Sequence, residues 1–451
     1  MNAVPLPRRQ QIRNVALYST TNCLVYFTAP VVYVGITQTS LCAGLGASDT
    51  VANLPASAYF WAVIVPVFVA ARFQKVSATA PALAIAYLAM ALAGLLVALS
   101  LWWPVSTQFR LAAVIVYGAM IGAGLGSRNV FVWEVVNRGM SLELRGWAYS
   151  LSFGLGPFFA VIGALLAQLL LSGEVVIPDF TFAQGLSLTH VNITPLGFPL
   201  NFAALFAATT PVLCLAAILS SQFKLPEVHD DAPRAALLST LLESATELTR
   251  DRILACAILA YVLVDAGFTI TNNMSLYTIE ALHRPAEEYA GYQNALRFCF
   301  KMTAGFMLGW LLVRTHAKLG VLVTGAFCLA GIVWALAAPN RWFLLSFGLM
   351  GAGELYGIYY PNFIMARSRA NRLRQNMAML QLMSLATSLA PVGFGALSDE
   401  FGLPASFVAA AVITCLSLAL VAWGLPARPT PPVDSAAGES SPRLEDACSR
   451  L

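Results

Sequence analysis

The sequence predicts an all-α membrane protein of twelve transmembrane helices arranged as two pseudo-symmetric six-helix bundles. Three observations lead there. Hydrophobic residues make up 58% of the chain and charged residues 11%, well below the roughly 25% charge of a soluble domain. The apolar residues gather in stretches long enough to cross a ~30 Å hydrocarbon core, six before and six after a polar interval. Finally, Phe347-Gly348-x-Met350 followed by Gly351-Ala352-Gly353 echoes Tyr117-Gly118-x-Met120 followed by Gly122-Ala123-Gly124, the mark of an internal duplication.

Taken in order, residues 1–14 are a basic amino-terminal segment carrying Arg8, Arg9 and Arg13. The first bundle, 15–220, holds spans at 15–36, 55–71, 79–103, 111–135, 147–171 and 199–220. The first span has full length and no small-residue cleavage site follows it, so it reads as a retained helix. Residues 172–198 are longer than a simple turn and contain Pro178, Gly185, Pro195 and Gly197, which predicts an irregular cap over the outer mouth. The sequon Asn192-Ile193-Thr194 is followed directly by Pro195, which disfavours glycosylation. Residues 221–252 form a polar linker whose Leu237, Leu238, Leu241, Leu242, Ala245 and Leu248 share one helical stripe, predicting an amphipathic helix on the inner membrane face. The second bundle, 253–425, holds spans at 253–279, 289–313, 320–338, 342–366, 377–398 and 404–425. The tail, 426–451, is rich in Pro, Ser and Ala without periodicity and predicts disorder.

Charge placement orients the chain. With both termini inside, the inner segments collect most of the lysines and arginines, including the dense run Arg367, Arg369, Arg372 and Arg374. The outer segments hold only Arg110, Arg284 and Arg341. This is the positive-inside pattern of a multi-pass protein in the cytoplasmic or plasma membrane.

Several classes of function are disfavoured. The eight cysteines sit mostly within apolar spans and form no CxxC pair or metal-spaced cluster, so neither metal nor cofactor is expected. There is no G-x-x-x-x-G-K-[ST] loop and no inner segment long enough for a nucleotide-binding domain, which argues against a primary pump. No nucleophile–base set appears, and His190, His229, His283 and His316 all lie outside the spans, so the chain does not read as an enzyme. Nothing indicates a nucleic-acid partner.

The order of these features resembles the major facilitator superfamily of secondary transporters over about residues 10–425. That family's loop after helices 2 and 8 has the form G-x-x-x-D-R-x-G-R-R/K. Here Gly309, Arg314 and Lys318 keep their places, Val313 replaces the Asp and His316 the second Gly; in the first half only Arg72 and Lys75 survive. Helix 5 opens with Leu144-Arg145-Gly146-Trp147-Ala148, similar to the family's R-G-x-A, and reaches Gly154-Leu155-Gly156-Pro157, a loose form of its glycine-proline motif. Helix 11 ends in Gly395-Ala396-Leu397-Ser398-Asp399-x-x-Gly402. The resemblance implies gating roles for Arg72, Lys75, Arg145, Gly146, Gly309, Arg314 and Lys318. It also implies a central pathway lined by helices 1, 4, 7 and 10, with 2, 5, 8 and 11 beside it.

Apart from Glu134, which lies at the inner edge of its span and reads as interfacial, five charged side chains lie inside the spans: Arg128, Asp265, Arg297, Lys301 and Glu354. Unpaired, they would cost on the order of 12 to 17 kcal/mol on the insertion scale, so pairing or a wet cavity must offset most of that. Asp265 shares a helix-7 stripe with Tyr261, Thr269 and Asn272, and helix 8 carries Asn294, Arg297 and Lys301 on one face. Rise per residue puts Asp265 and Lys301 at similar depth, predicting that they pair, either within a cavity or as a lock between two helices. Glu354 lies among Gly351, Gly353 and Gly357 with no cation nearby on its own helix. It reads as a proton carrier, or as a structural carboxylate held by Arg or Tyr. Arg128 either lines the pathway or snorkels to the inner face. Tyr18, Asn22 and Tyr26 on helix 1 and Gln381, Ser384 and Ser388 on helix 11 line the same route or serve interhelical hydrogen bonds.

The expected function is proton-coupled movement of a small organic solute by alternating access, in a monomer whose partners are solute, protons and the lipid bilayer. The alternative is a transporter-like receptor or scaffold that no longer cycles. Three basic against two acidic groups in the spans favour an anionic or zwitterionic solute; a neutral solute bound by Asn22, Gln381 and the tyrosines is the other possibility.

Overall fold

The computed structural model describes residues 6–73, 75–181, 185–226, 251–367, 380 and 382–429. Among the described residues, helix occupies every predicted span. Helix 1 runs Arg8–Phe27 and continues as Ala29–Val32 and Ile36–Gly44; helix 2 is Asp49–Trp61 and Val65–Arg72. Helices 3 to 6 are Thr79–Trp102, Thr107–Gly139, Leu142–Ser172 and Leu200–Ser220. Helix 7 is Arg252–Phe268 and Thr271–Leu282, helix 8 Ala290–Arg314, helix 9 Ala317–Ala337, and helix 10 Leu345–Gly353 and Tyr356–Arg367. Helix 11 ends as Leu389–Phe401, and helix 12 is Leu403–Gly424. Among the described residues, 8 helices are long and apolar enough to cross a membrane; helices 1, 8, 10 and 11 fall short where breaks, charges or undescribed residues enter. The chain is an integral, multi-pass membrane protein. The linker stripe, Arg369, Arg372 and Arg374, Gln381 and nearly all of the tail lie outside the described residues.

The halves repeat each other's packing. Helix 2 lies on helix 4 and helix 3 on helices 4 and 6; correspondingly, helix 8 lies on helix 10 and helix 9 on helices 10 and 12. The glycine echo explains why. A Cβ on Gly122 would stand 2.1 Å from the Tyr59 carbonyl oxygen of helix 2, and one on Gly351 would stand 1.9 Å from the Arg297 carbonyl oxygen of helix 8. Gly124 abuts Met90 of helix 3, as Gly353 abuts Cys328 of helix 9. Small residues are what allow backbones to approach this closely in a membrane. Helix 5 against helix 8, and helix 2 against helix 11, join the two halves.

The segment expected to be an irregular cap contains a hairpin. Strand β1, Glu174–Thr181, pairs antiparallel with β2, Gly185–Asn192, in a register from Glu174 opposite Asn192 to Thr181 opposite Gly185. Leu186 and Leu188 alternate with Ser187 and Thr189, a period of two. Pro178 is tolerated because both strands of a two-stranded sheet are edges. The Val176 N–H donates to the Tyr292 hydroxyl at 2.8 Å, tying the hairpin to helix 8.

Among the described residues, the hydrogen bonds joining the halves gather at the end remote from the termini. Asp399, at the close of helix 11, accepts from the N–H groups of Asp49 and Thr50 at 2.9 and 3.0 Å and from the Thr50 hydroxyl at 2.5 Å. Asn53 donates to Asn273 at 2.7 Å, and Ser40 and Ser275 share a bond of 3.0 Å. Gln168 of helix 5 donates to the Glu288 carbonyl and accepts from the Tyr292 N–H. Together these bonds seal that end.

Candidate functional site

Three of the five charged residues meet in the second half. Glu354 falls at a break in helix 10, between Gly353 and Tyr356, where the backbone leaves helical pairing for two residues. Its Oε2 accepts from Nε of Arg297 at 2.8 Å and its Oε1 from Nζ of Lys301 at 2.9 Å. All three side chains are almost wholly buried, with 12%, 7% and 11% exposure. One residue turn separates the two cations on helix 8, so each reaches a different carboxylate oxygen. Because Gly351 rests on the Arg297 carbonyl, the helix axes lie close enough for this contact.

Aromatic rings complete the shell. The Arg297 guanidinium lies 5.2 Å from the Phe268 ring centre and 5.7 Å from that of Phe298. Lys301 Nζ lies 5.8 Å from both Tyr33 and Phe298. Desolvated contacts of this kind contribute roughly 0.5 to 2 kcal/mol each. Phe298 also packs edge-on against Tyr26 and Tyr33, which stack on each other at 6.1 Å, so a helix-8 ring reaches helix 1 of the other half. Tyr26 comes this close to helix 5 because Gly156 has no Cβ; one there would stand 2.4 Å from the ring.

The predicted Asp265–Lys301 pair is not formed. Asp265 is buried and held by hydroxyls instead: Tyr356 donates to Oδ1 at 2.5 Å and Thr387 to Oδ2 at 2.8 Å. Depth along a helix does not decide which way a side chain faces. Lys301 points to helix 10, whereas Asp265 points to the Tyr356 turn of helix 10 and to helix 11. For the same reason Glu354 is not the unpartnered carboxylate its own helix suggested.

In the first half, Arg128 donates from Nε to the Tyr87 hydroxyl at 3.1 Å and from Nη1 to Asn129 at 2.9 Å; its Nη2 donates to Asn22 Oδ1. Asn22 in turn donates to the Ser152 carbonyl of helix 5 at 3.4 Å. Arg128 therefore points inward to helices 1 and 3 rather than snorkelling.

The other predicted residues divide. Tyr18 is buried, edge-on to Tyr149. Asn272 is buried against Gly35, whose φ of 156° favours glycine and where a Cβ would stand 2.7 Å from Asn272 Oδ1. Asn294 bonds the Ala290 carbonyl of its own helix at 2.9 Å. Arg145 donates to the Met140 and Asn137 carbonyls at the end of helix 4, and Lys318 to the Ala422 and Leu425 carbonyls at the end of helix 12. These two basic residues cap helix ends within their own bundle. Arg72 ends helix 2 and Arg314 ends helix 8; Lys75 is exposed, and a Cβ on Gly146 would meet nothing. Gly309 lies in the last two turns of helix 8.

Tyr356, Thr387, Tyr33, Phe298 and Tyr87 were not singled out from sequence. Tyr356 could have been, since it follows Glu354 by two residues in a stretch otherwise rich in glycine. The rest depend on helix rotation.

No curated protein matches the chain. The sequence profile of the Major Facilitator Superfamily matches residues 257–447. Among solved structures, a variant of the nucleoside transporter NupG superposes with a TM-score of 0.65 at 12% identity, covering 92% of this chain and 99% of that one. A D-xylose-proton symporter does so with 0.64 at 14%, covering 92% and 98%. The E. coli fucose:proton symporter FucP does so with 0.57 at 16%, covering 93% and 100%. The second half thus carries the profile of the Major Facilitator Superfamily, and nearly the whole chain shares the fold of these transporters, with the same packing repeated in its two halves.

Proposed function

We propose that the protein is a secondary active transporter that moves a small organic solute by alternating access, driven by protons. The observation that carries this reading is the set of charged groups between the two halves, below an end sealed by Asp399, Asn53, Ser40 and Gln168. A charge cluster used only to lock helices would need no aromatic wall from the opposite half, whereas Tyr33 and Phe298 bring the halves together at the cations. The xylose and fucose proteins of like fold are named proton symporters, which supports protons as the driving ion.

Within this reading the roles of the two carboxylates separate. Glu354 is tied to two cations, and its task is to hold Arg297 and Lys301 in place for the solute. Among the described residues Asp265 has only hydroxyl partners, so its protonation changes a buried charge without breaking an ion pair. It is the coupling residue. The arginine distribution supports an orientation with both termini inside, in which the end joined through Asp399 faces outward. The test is uptake of a panel of labelled metabolites into proteoliposomes under an imposed proton gradient. Accumulation above equilibrium that collapses with the gradient is expected; no accumulation of any solute contradicts the reading.

A further inference from the structure

We infer that the solute carries an oxyanion, a carboxylate or a phosphate, and that Arg128 binds it from the first half while Arg297 faces it from the second. This rests on the transporter reading and names the substrate class of the same site.

Charge inventory is the first ground. Among the described residues Glu354 takes both Arg297 and Lys301, and Asp265 takes none. Among those residues Arg128 has no carboxylate within ion-pair distance; its acceptors are the Tyr87 hydroxyl and the Asn129 and Asn22 side-chain amides. Neutral acceptors orient a guanidinium without neutralising it. A cation left so within a membrane span is costly, and an anionic ligand removes that cost on binding.

Donor geometry is the second. Arg297 spends only Nε on Glu354. Neither of its Nη groups has a protein acceptor among the described residues, which leaves paired N–H donors suited to two oxygens of one oxyanion.

Placement is the third. Tyr33 lies within electrostatic reach of both Arg128 and Arg297, and Tyr26 within reach of both Arg128 and Glu354. The Tyr26–Tyr33 stack is thus a neighbour of charged groups from both halves. A solute bridging them would contact both halves, as a ligand that drives their relative motion must.

The experiment measures thermal stabilisation of the purified full chain by matched pairs: glucuronate with glucose, lactate with propane-1,2-diol, and glycerol 3-phosphate with glycerol. At least one anion should raise the melting temperature where its neutral partner does not. Arg128→Gln should weaken that binding tenfold or more, and Arg128→Lys should retain part of it. Without ligand, Arg128→Gln should melt no lower than the parent, because it removes an uncompensated charge. The inference falls if neutral partners stabilise as well as anions, if no anion stabilises, or if ligand-free Arg128→Gln melts well below the parent, since the guanidinium would then be structural. Flux in proteoliposomes separates this from the transporter reading. Anion binding without flux under any gradient would sink the transporter and keep the anion site; flux of a neutral solute untouched by Arg128→Gln would do the reverse.

Discussion

Arg297 and Glu354 meet at 2.8 Å across helices 8 and 10, at the level where Gly351 lets the two backbones touch. Lys301 occupies the other carboxylate oxygen, so one acid answers two buried bases. The asymmetry has a measurable result. Glu354→Gln strands both cations and should cost on the order of 3 to 5 kcal/mol, the penalty of breaking a buried pair. Lys301→Met leaves the Arg297–Glu354 pair whole and should cost well under half as much. Unfolding in detergent checks this, and equal losses for the two variants would mean the pairs are not energetically linked.

Asp265 should behave differently. Asp265→Asn keeps the shape and can still bond Tyr356 and Thr387, so folding should change by less than about 1.5 kcal/mol. Proton-driven accumulation should be lost while solute exchange at equal pH persists. If Asp265→Asn still concentrates solute fully, coupling lies elsewhere.

The close approach of helices 8 and 10 can be tested apart from charge. A methyl group on Gly351 would stand 1.9 Å from a backbone oxygen, so Gly351→Ala should destabilise by roughly 1 to 3 kcal/mol through overpacking. Gly357→Ala, six residues along with open space at that point, should be neutral or gain up to about 1 kcal/mol from helix propensity. Equal melting temperatures for the two would contradict the packing described.

The Asp399 seal has a defined pH response. Burial by itself would raise this carboxyl's pKa, but hydrogen bonds from the Thr50 hydroxyl and the Thr50 and Asp49 N–H groups outweigh it and hold the pKa below the usual carboxylate value. A depressed pKa means the seal's contribution is fully present above the ordinary carboxylate range near 3.9 and is lost as pH falls through the lowered value. Between pH 5 and 8, accessibility of a cysteine placed at Ser48 should therefore not change on account of Asp399. Asp399→Asn should raise that accessibility at every pH in the window. A seal that loosens already at pH 6 in the parent but not in Asp399→Asn would oppose this assignment.

Much of this architecture was legible because it is written in length and composition. Spans of the right length and basic inner turns predicted the helices, and the glycine echo around Gly122 and Gly351 predicted the repeated packing. The charged residues themselves were also visible. Their partners were not, because rise along a helix gives depth but not rotation: Asp265, Lys301 and Glu354 share a depth, and only the packing of helix 8 on helix 10 sends Lys301 to Glu354. The break in helix 10 at Glu354 was hidden as well, since no proline marks it. The hairpin was missed because Pro178 and Gly185 read as loop residues, although the alternation at 186–189 carried its signal.

Alternating access requires the Asp399 end to open when the opposite end closes, and a pair of distance measurements tests that most directly. Spin labels at Ser48 and Glu400 report the sealed end, and labels at Arg72 and Arg314 report the end nearer the termini. In lipid nanodiscs, pulsed electron paramagnetic resonance should find a short distance at the first pair in the parent protein. Asp399→Asn with Thr50→Ala should lengthen it by several ångströms while the second pair shortens in step. Distances at both ends that stay fixed in the parent and in the unsealed variant would contradict a cycling transporter and leave a static scaffold in its place.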